Sequence, residues 1–561
     1  MSSKINKLTA CSLDCYDACA VVYSEGKLKG FNKGHTRGFL CPHLKHYSKH
    51  KTITTPRYKN REVPLSEALE KLKEILKNAA KDKILHYRGS GNFGLMQEVT
   101  DHFFASYGAT LTDGTLCDGA GEAGIIKGRG SNKNMPLDEI VKSEIVIIWG
   151  RNPHTTSSHL LPLIKNKTLI VIDPIRTKIA KSAELHIQLK PHTDLHLAMI
   201  LIRFLKSENR SDFEAILEEI DVSLEQVRKI LELVQNKKVA IVCGVGIQKY
   251  SDGADVMRAI DTFAMTLGLF SKEGCGVSYL GNSKEGIISP FQTQAKRVSK
   301  VDTAFDKFST VFIQGANPLS QMPDTLRVKE SISKVKHLIY FGLYENETSE
   351  MADLVIPAKS FLYKNDVRAS YSHNSMMSMS AVDEINAGIS EYELSAFLCE
   401  EFGINLESEE FYLSHFKSFA FEKEDGCFEI KNRENTPYKE GFDTDDGKFV
   451  YLESYKPFQD ENSKLYLITP KSATSLNSQF NREKFVYLHS SLGFKEGSEI
   501  VVSSENGEVT LPVKINSDLR DDCVLIYSAT EGVNNLTTSK HSDEGKSAIF
   551  QENRVEIRAK S

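Results

Sequence analysis

The 561-residue sequence lacks the features that mark membrane-embedded or general nucleic-acid-binding proteins. Its 70 Lys and Arg residues are outnumbered by 75 Asp and Glu residues, so no basic excess is available to neutralise phosphates. Its longest apolar runs, such as 239–243, are far shorter than the roughly 20 residues that span a bilayer. We therefore expect no nucleic-acid partner and no membrane anchor. The N-terminal residues show neither an apolar segment nor a twin-arginine pair, which favours a cytoplasmic location.

Cysteine is scarce and unevenly placed. Ten cysteines in 561 residues are too few for a disulfide scaffold, yet Cys11, Cys15, Cys19 and Cys41 all fall near the N-terminus. Three thiolates close together and a fourth arriving from a separate segment can enclose a [4Fe–4S] cluster, because each iron takes one thiolate. A structural zinc ion is the alternative, although zinc sites usually bring two closely spaced pairs of ligands.

Short runs of Val, Ile and Leu alternate with Gly-, Asn- and Asp-containing loops and amphipathic stretches between about residues 84 and 357. This alternation predicts a multidomain α/β fold with parallel sheets, whose ligands bind beyond the carboxyl ends of the strands. A charged, turn-rich segment at 421–447 predicts a boundary. The short strand-like runs after it predict a C-terminal β-barrel.

The sequences ACSLDCYDAC at 10–19 and TRGFLCP at 36–42 resemble the N-terminal motif of the molybdopterin oxidoreductase family. That family includes dimethyl sulfoxide reductases, formate dehydrogenases and sulfur-compound reductases. The resemblance implies a [4Fe–4S] cluster that relays electrons, together with molybdenum or tungsten held by two molybdopterin guanine dinucleotides. Many members carry Lys two residues after the fourth cysteine, where this chain has His43.

The same resemblance implies a small N-terminal iron–sulfur domain, two interleaved α/β domains and a terminal barrel that binds the pterin dinucleotide. The expected boundaries are 1–55 for the iron–sulfur domain, 56–140 with 336–445 for the first α/β domain, 141–335 for the inserted α/β domain, and 460–561 for the barrel.

A glycine-rich loop, TDGTLCDGAGEAG at 112–124, precedes a predicted helix, and such loops let the backbone approach a large ligand closely. By the resemblance, this loop supplies the protein ligand of the metal, which makes Cys117 the candidate. A small buried structural cysteine is the alternative. Asp118, Glu122 and His154 are candidates for proton handling. Formate dehydrogenases usually have His where this chain has Asp118, so the sulfur ligand does not by itself indicate formate.

Other residues follow predicted strands and resemble the family's nucleotide-binding loops. Asp173 could accept hydrogen bonds from N1 and N2 of guanine, and Arg176 could pair with a diphosphate. Helix caps, ion pairs and polar loops are the alternative roles. The candidates for cofactor binding are Trp149, Gly150, Arg151, Asn152, Asp173, Arg176, Gly315, Asn317, Thr348, Asn477 and Asn535.

The sequence thus predicts an enzyme that exchanges an oxygen atom, a sulfur or a hydride equivalent with a small-molecule substrate, assisted by an electron-transfer partner subunit. Three alternatives stay open. They are a non-redox hydratase on the same cofactor, a metal-free electron-transfer subunit resembling the large iron–sulfur subunit of respiratory complex I, and a nicotinamide dehydrogenase with a structural zinc.

Overall fold

The runs of Val, Ile and Leu form buried parallel strands in two α/β sheets, as both faces of such strands are covered. The computed structural model describes residues 7–208, 212–383, 388–424, 426–458 and 463–560. These residues divide into two compact units. Unit 1 lies within Met1–Asp113, Gly286–Asn432 and Ala473–Arg482, and unit 2 within Gly114–Glu285, Arg433–Ser472 and Glu483–Ser561.

Unit 1 is built on an eight-stranded sheet with six parallel strands and two antiparallel strands at one edge. In spatial order the strands are Arg297–Ser299, Thr110–Asp113, Ile84–Arg88, Thr310–Gln314, His337–Gly342, Leu354–Pro357, Arg57–Tyr58 and Arg61–Glu62. The sequence-based limit at residue 335 assigns Thr310–Gln314 to the inserted domain. In the structure this strand pairs on both sides within the unit 1 sheet. Its apolar pattern suits a central strand of any parallel sheet, so the pattern does not show which sheet the strand joins.

Two antiparallel sheets and a short hairpin complete the strands of unit 1. The strands are Lys7–Ala10, Ala20–Ser24 and Lys27–Gly30 in one sheet, Asp366–Ala369, Ser375–Met379, Cys427–Ile430 and Ala420–Glu424 in the other, and Ser475–Leu476 with Gln479–Phe480 in the hairpin.

The helices of unit 1 cover the eight-stranded sheet with apolar faces. Leu65–Asn78 buries Ala68, Leu72, Ile75 and Leu76, which recur at helical spacing and pack into the core beside Phe104. The α-helices of this unit are Pro42–Lys45, Leu65–Asn78, Val99–Tyr107, Pro318–Gln321, Thr325–Ser333, Glu347–Met351, Glu391–Phe402 and Glu409–Ser418.

Unit 2 contains a parallel five-stranded sheet and its helices. In spatial order the strands are Leu185–Ile187, Thr168–Ile172, Ile145–Trp149, Val239–Cys243 and Gly276–Ser278. The α-helices are Gly119–Arg129, Pro153–Thr156, Leu161–Ile164, Asp194–Leu205, Phe213–Ile220, Leu224–Val234 and Gly253–Thr266.

The C-terminal strands of unit 2 close into a six-stranded barrel, which confirms the expected barrel. Its strands are, in order, Leu465–Ile468, Cys523–Leu525, Val486–Leu488, Glu508–Ile515, Glu499–Ser503 and Arg554–Ala559. The α/β multidomain fold expected from the sequence is thereby confirmed. Among the described residues, no helix combines the length and apolarity needed to cross a membrane.

Candidate functional site

The four N-terminal cysteines come together in unit 1. A hydrogen bond of 2.9 Å from the amide of Cys11 to the carbonyl oxygen of Cys19 closes the connection between the first two strands. Cys15 lies within this loop, and Cys41 precedes the short helix Pro42–Lys45. Cys11, Cys19 and Cys41 pack into one apolar cluster. Residues separated by up to 30 positions in sequence are therefore gathered around one point.

The surroundings of these thiols make their ionisation costly without a metal. Burial, followed by the charges of Asp17 and Cys41, raises the pKa of Cys15 to about 12. Burial also raises the pKa of Cys11 and of Cys19 well above the ordinary range, and the neighbouring cysteines add to both shifts. Metal binding favours the thiolate form and offsets such mutual repulsion. Four sulfur donors in this environment fit a polynuclear iron–sulfur centre, whose ligands are thiolates.

Side chains from the end of a strand hold the cysteine loop by its carbonyl groups. The guanidinium of Arg368, which is fully buried, donates hydrogen bonds to the carbonyl oxygens of Leu13 at 3.4 Å and Cys15 at 3.1 Å. The hydroxyl of Ser370 donates to the carbonyl oxygen of Tyr16 at 2.8 Å. The loop is thus fixed largely through its carbonyl groups, while the amide of Leu13 donates to Sγ of Cys11 at 3.3 Å. Arg368 could not be identified from the sequence, because its contacts join segments that are far apart in the chain.

The eight-stranded sheet of unit 1 has a switch point where its strand order reverses. The strand Ile84–Arg88 lies at the centre, with Thr110–Asp113 on one side and Thr310–Gln314 on the other. Open α/β sheets bind ligands beyond the carboxyl ends of strands at such a point. A cleft lies here, and it contains about 580 Å³ of empty space when the open solvent at its mouth is included. Its lining includes Ser90, Gly91, Asn92, Gly315, Ala316, Asn317, Tyr344, Glu345, Asn346, Asn477, Ser478 and Gln479.

Glycine is required where the two loops of this cleft meet. The amide of Gly91 donates to the carbonyl oxygen of Gly315 at 2.8 Å, and a Cβ at Gly91 would lie only 2.5 Å from that oxygen. Gly315 itself has a φ of +54°, in the left-handed region. The side-chain amide of Gln479 donates to the carbonyl oxygen of Gly91 at 2.8 Å and braces the same contact. The loop at 89–92 was missed from the sequence, although its glycines directly follow an apolar run.

Asn317 and Thr348, two expected cofactor ligands, are paired with each other. The hydroxyl of Thr348 donates to Oδ1 of Asn317 at 2.8 Å, and Nδ2 of Asn317 donates to Glu347 at 2.7 Å. Arg482 donates to the other oxygen of Glu347 at 2.6 Å. Although burial opposes it, these two donors lower the pKa of Glu347. The network fixes the loops of the cleft, and sequence reasoning gave no signal for Glu347 or Arg482.

The five-stranded sheet of unit 2 has a switch point of its own. The strand Ile145–Trp149 lies between Thr168–Ile172 and Val239–Cys243. The loops that follow Ile145–Trp149 and Val239–Cys243 therefore border a crevice. A Cβ at Gly244 would lie 1.7 Å from the carbonyl oxygen of Gly150, and Gly150 has a φ of +61°. Two glycines therefore make this approach of the loops sterically allowed.

The residues expected beside this crevice differ in whether their polar side-chain atoms are already hydrogen-bonded within the protein. The indole of Trp149 is fully buried and donates to Asp194 at 2.7 Å, which places it in the core. Arg151 is buried and donates to the hydroxyl of Ser157 at 2.5 Å. Oδ1 of Asn152 is buried and has no hydrogen-bond partner among the residues that the structure describes. An unpaired buried acceptor of this kind fits a donor on a bound ligand.

Asp173 and Arg176 follow the neighbouring strand of unit 2. Burial raises the pKa of Asp173 to about 7, while the amide of Ile175 donates to its carboxyl group at 2.8 Å. A protonated carboxyl group at this position can donate as well as accept, which widens the set of groups it can bind. The side chain of Arg176 is exposed, and its amide donates to the carbonyl oxygen of Asp518 at 2.8 Å.

Cys117 lies half-buried in the predicted glycine-rich loop of unit 2. Its amide donates to the hydroxyl of Thr115 at 2.9 Å. Further along the chain, the amide of Gly121 donates to the side chain of Gln248 at 2.7 Å. The ammonium group of Lys249 donates to the carbonyl oxygen of Leu116, the residue before Cys117, at 3.2 Å. Burial lowers the pKa of Lys249.

The helix Gly119–Arg129 begins immediately after Asp118, inside the segment 112–124 that was expected to be a loop, so Gly119, Gly121 and Gly124 belong to the helix. A Cβ at Gly119 would lie 2.5 Å from the carbonyl oxygen of Gly545. Segments from two other parts of unit 2 thereby hold the Cys117 loop. The Gly-x-Gly turn at 244–246 leads into the segment that makes the Gln248 and Lys249 contacts.

The remaining two candidates belong to different units. Asn477 has a φ of +50° in the turn of the unit 1 hairpin and lines the cleft there. Asn535 belongs to a short helical turn of the barrel segment in unit 2, and its side-chain amide donates weakly to the carbonyl oxygen of Glu508 at 3.4 Å.

Comparisons with known proteins bear on what these crevices hold. A family model described as molybdopterin oxidoreductase matches residues 64–400, and one described as molydopterin dinucleotide binding domain matches residues 465–553. The probable oxidoreductase YoaE of Bacillus subtilis is 23% identical to this chain over 98% of both proteins. The probable oxidoreductase YyaE of the same organism is 28% identical over 65% of this chain, a match that spans 64% of that protein.

Two further comparisons extend the similarity. The F420-dependent formate dehydrogenase subunit alpha of Methanocaldococcus jannaschii is 22% identical over 78% of each chain. Among solved structures, acetylene hydratase from Pelobacter acetylenicus superposes with a TM-score of 0.77 at 15% identity, covering 99% of this chain and 100% of its own. At that identity the superposition shows a shared fold.

Proposed function

Because this chain belongs to the molybdopterin oxidoreductase family, we propose that it is an oxidoreductase with a bis-pterin molybdenum or tungsten centre and one [4Fe–4S] cluster. When bound, the metal centre would exchange an oxygen atom, a sulfur or a hydride equivalent with a small-molecule substrate, and the cluster would carry single electrons. The protein contributes binding, orientation and electrostatics. The proposal covers the reaction class and leaves the substrate open.

One observation carries the proposal: each unit has a sheet switch point at which glycines allow two loops to meet. In unit 1 these are the loops around Gly91 and Gly315, and in unit 2 the loops around Gly150 and Gly244. Two separate crevices of the same construction match two separate dinucleotide groups. A single nicotinamide cofactor would need only one such crevice.

The side chains around these crevices have distinct roles in the proposal. Asn152 offers its unpaired acceptor to a ligand donor, and Asp173 offers a carboxyl group that is partly protonated near neutral pH. Asn317 and Thr348 act indirectly, because their side chains fix the loops of the unit 1 cleft. Asn477 presents the hairpin turn at the same cleft.

Sulfur ligands complete the proposed cofactor set. Cys11, Cys15, Cys19 and Cys41 would hold the cluster, and Cys117 would ligate the molybdenum or tungsten. Lys249 lies close enough to Cys117 for the charges of the two side chains to interact. Asp118, next to Cys117, is the candidate for moving protons, since two-electron oxo chemistry requires them.

Anaerobic purification followed by elemental and nucleotide analysis tests the proposal. We expect about four iron atoms per chain, as one cubane requires, with one molybdenum or tungsten atom and two guanine nucleotides released on acid hydrolysis. Electron paramagnetic resonance should show one reducible cluster. Iron without molybdenum, tungsten or pterin would instead indicate an electron-transfer subunit, and about one zinc without iron would exclude the cluster.

A dye-linked screen then separates redox turnover from hydration. Formate, nitrate, thiosulfate, polysulfide and sulfoxides are the substrates to offer, with acetylene as the hydration substrate. Conversion that consumes or releases no electrons would reject the redox proposal in favour of a hydratase. A protein that donates or accepts electrons is part of the proposal, since the Methanocaldococcus relative is named as one subunit of a larger enzyme. The cytoplasmic location stays a prediction.

A further inference from the structure

Charge is distributed unevenly in unit 1, despite the overall net charge of −5. Residues 26–61 contain ten Lys and Arg residues and no Asp or Glu, and this segment includes the fourth cysteine, Cys41. The seven cations at its N-terminal side all have exposed side chains. We call them the basic surface, and they are Lys27, Lys29, Lys33, Arg37, Lys45, Lys49 and Lys51.

The basic surface lies on the same short elements that pack against the cysteines. In the strand Lys27–Gly30, Lys27 and Lys29 are exposed while Leu28 packs against the apolar cluster that contains the cysteines. Alternation along a strand places these lysines on the side opposite to Leu28. The elements therefore present an apolar side to the cysteine cluster and a cationic side to solvent.

Hydrogen bonds place Arg37 beside this strand and Lys45 close to the fourth cysteine. The amide of Gly38 donates to the carbonyl oxygen of Phe31 at 2.9 Å, which brings the segment bearing Arg37 beside the strand. The amide of Lys45 donates to the carbonyl oxygen of Cys41 at 3.0 Å, one helical turn away. Four residues of helix span about 6 Å, so a molecule seated on Lys45 lies near the cysteine site.

Six of the seven cations of the basic surface are available to a partner. Lys27, Lys29, Arg37, Lys45, Lys49 and Lys51 form no ion pair with any residue that the structure describes, and Glu25 is the nearest acidic residue in sequence before them. Unit 1 pairs many other cations, such as Arg57 with Glu345 and Lys359 with Glu393. Unpaired exposed cations around one site attract an anionic partner over about a Debye length.

From this arrangement we infer that the basic surface docks a small acidic one-electron carrier protein, which exchanges electrons with the cluster through the edge near Cys41. The inference rests on the proposed function, because it needs the cluster. In each encounter the reduced carrier gives one electron to the oxidised cluster, so the carrier is oxidised, the cluster is reduced, and no bond or proton is transferred. An acidic carrier fits the charge, and its size fits a surface rather than a cleft.

Charge reversal with a matched control tests the inference on the holoenzyme. The test variants are Lys45→Glu with Lys49→Glu and, further from the ligands, Lys27→Glu with Lys29→Glu. The control is Lys329→Glu with Lys336→Glu, two exposed lysines of unit 1 outside the basic surface that change the net charge equally. Iron content must be about four per chain in each protein before rates are compared.

The measurement is the rate of cluster reduction by a reduced acidic plant-type ferredoxin, followed by freeze-quench electron paramagnetic resonance. We expect the wild-type rate constant to fall with rising ionic strength, and each test variant to lose roughly tenfold or more at low salt. The control should keep the wild-type rate. Photoreduced 5-deazariboflavin, an uncharged reductant, should reduce all four proteins equally.

Several outcomes would overturn the inference. They are equal ferredoxin rates in test and control variants, a rate without salt dependence, and failure of ferredoxin to reduce a wild-type cluster that deazaflavin does reduce. Selective, salt-dependent binding of duplex DNA or anionic vesicles to wild-type protein, with unchanged ferredoxin rates in the variants, would assign the surface to those partners. Absence of iron would reject the cluster itself. That result would show that the proposed function has failed, whereas the outcomes above overturn only the docking inference.

Discussion

Arg368 donates a hydrogen bond of 3.1 Å to the carbonyl oxygen of Cys15, so a buried cation is fixed beside the cysteine loop. Its guanidinium also lies 4.2 Å from the centre of the Phe93 ring. Among the described residues, no carboxylate forms an ion pair with Arg368. Arg129, another buried arginine, is by contrast paired with Asp261. The charge of Arg368 is therefore directed to the loop that would hold the cluster.

We expect Arg368→Met to lower the reduction potential of the cluster, because a nearby positive charge favours the reduced, more negative state. Two unit charges roughly 4 Å apart interact by about 4 kcal/mol at an effective dielectric constant of about 20, and the interaction weakens with distance, so we expect a fall on the order of tens of millivolts for one electron. Arg368→Lys keeps the charge and should keep most of the potential. A redox titration monitored by electron paramagnetic resonance measures both; equal midpoints in all three proteins would limit Arg368 to holding the loop.

Cys117→Ala should abolish turnover while the iron content and the cluster signal stay unchanged. The physical reason is that this loop would lose its only sulfur, whereas the four N-terminal cysteines remain. Cys427→Ala is the matched control, since Cys427 is also half-buried but lies on a strand of the four-stranded sheet. Turnover retained in Cys117→Ala, or lost equally in both variants, would contradict the assignment.

Gly91→Ala and Gly244→Ala should each reduce the guanine nucleotide content from about two to about one per chain. Each added methyl group would meet a carbonyl oxygen, at 2.5 Å in unit 1 and 1.7 Å in unit 2, and force the two loops of one crevice apart. Gly246→Ala is the control, because a Cβ there meets no atom within 4 Å. Circular dichroism verifies folding, and unaltered nucleotide content in the two folded test variants would rule out these crevices as the binding sites.

Asp173→Asn should change how the stability of the cofactor-free protein depends on pH. Burial raises the pKa of Asp173 to about 7, whereas an unfolded chain titrates near its ordinary value of about 4. Between these values the folded state binds the extra proton, so this group's contribution to stability falls as pH rises from 4 to 7. The asparagine keeps the hydrogen bond from Ile175 without this cost.

The free energy of unfolding, measured at pH 5 and pH 8, checks this sign. The variant should gain stability over wild type at pH 8 relative to pH 5, by about 1.4 kcal/mol for each pH unit between pH 5 and the folded-state pKa of about 7. A difference between the two proteins that is the same at both pH values would show that Asp173 does not titrate in this range.

The local architecture could be predicted well from the sequence. The cysteine spacing gathered four ligands in a short segment, and the apolar runs marked central parallel strands, because thiol chemistry and strand burial are properties of nearby residues. A helix was expected after the glycine-rich loop around Cys117, and it begins within that segment. The basic segment at 26–61 is also evident in the sequence, although the overall net charge of −5 does not reveal it.

Side-chain partners over long sequence distances could not be predicted. The hydrogen bond between Asn317 and Thr348 joins residues 31 positions apart in sequence, while their expected contact with a cofactor stays a prediction. Trp149 was expected at the crevice and lies in the core, where its indole finds a buried carboxylate.

The sequence by itself determined the elements, the ligand types and the loops that must contain glycine, since backbone sterics and side-chain chemistry act locally. Only the tertiary structure decided where the strand order reverses, which distant residues brace each loop, and that the cation of Arg368 lies against the cysteines. These relationships depend on which strands become neighbours, and that choice is made by packing of the whole unit.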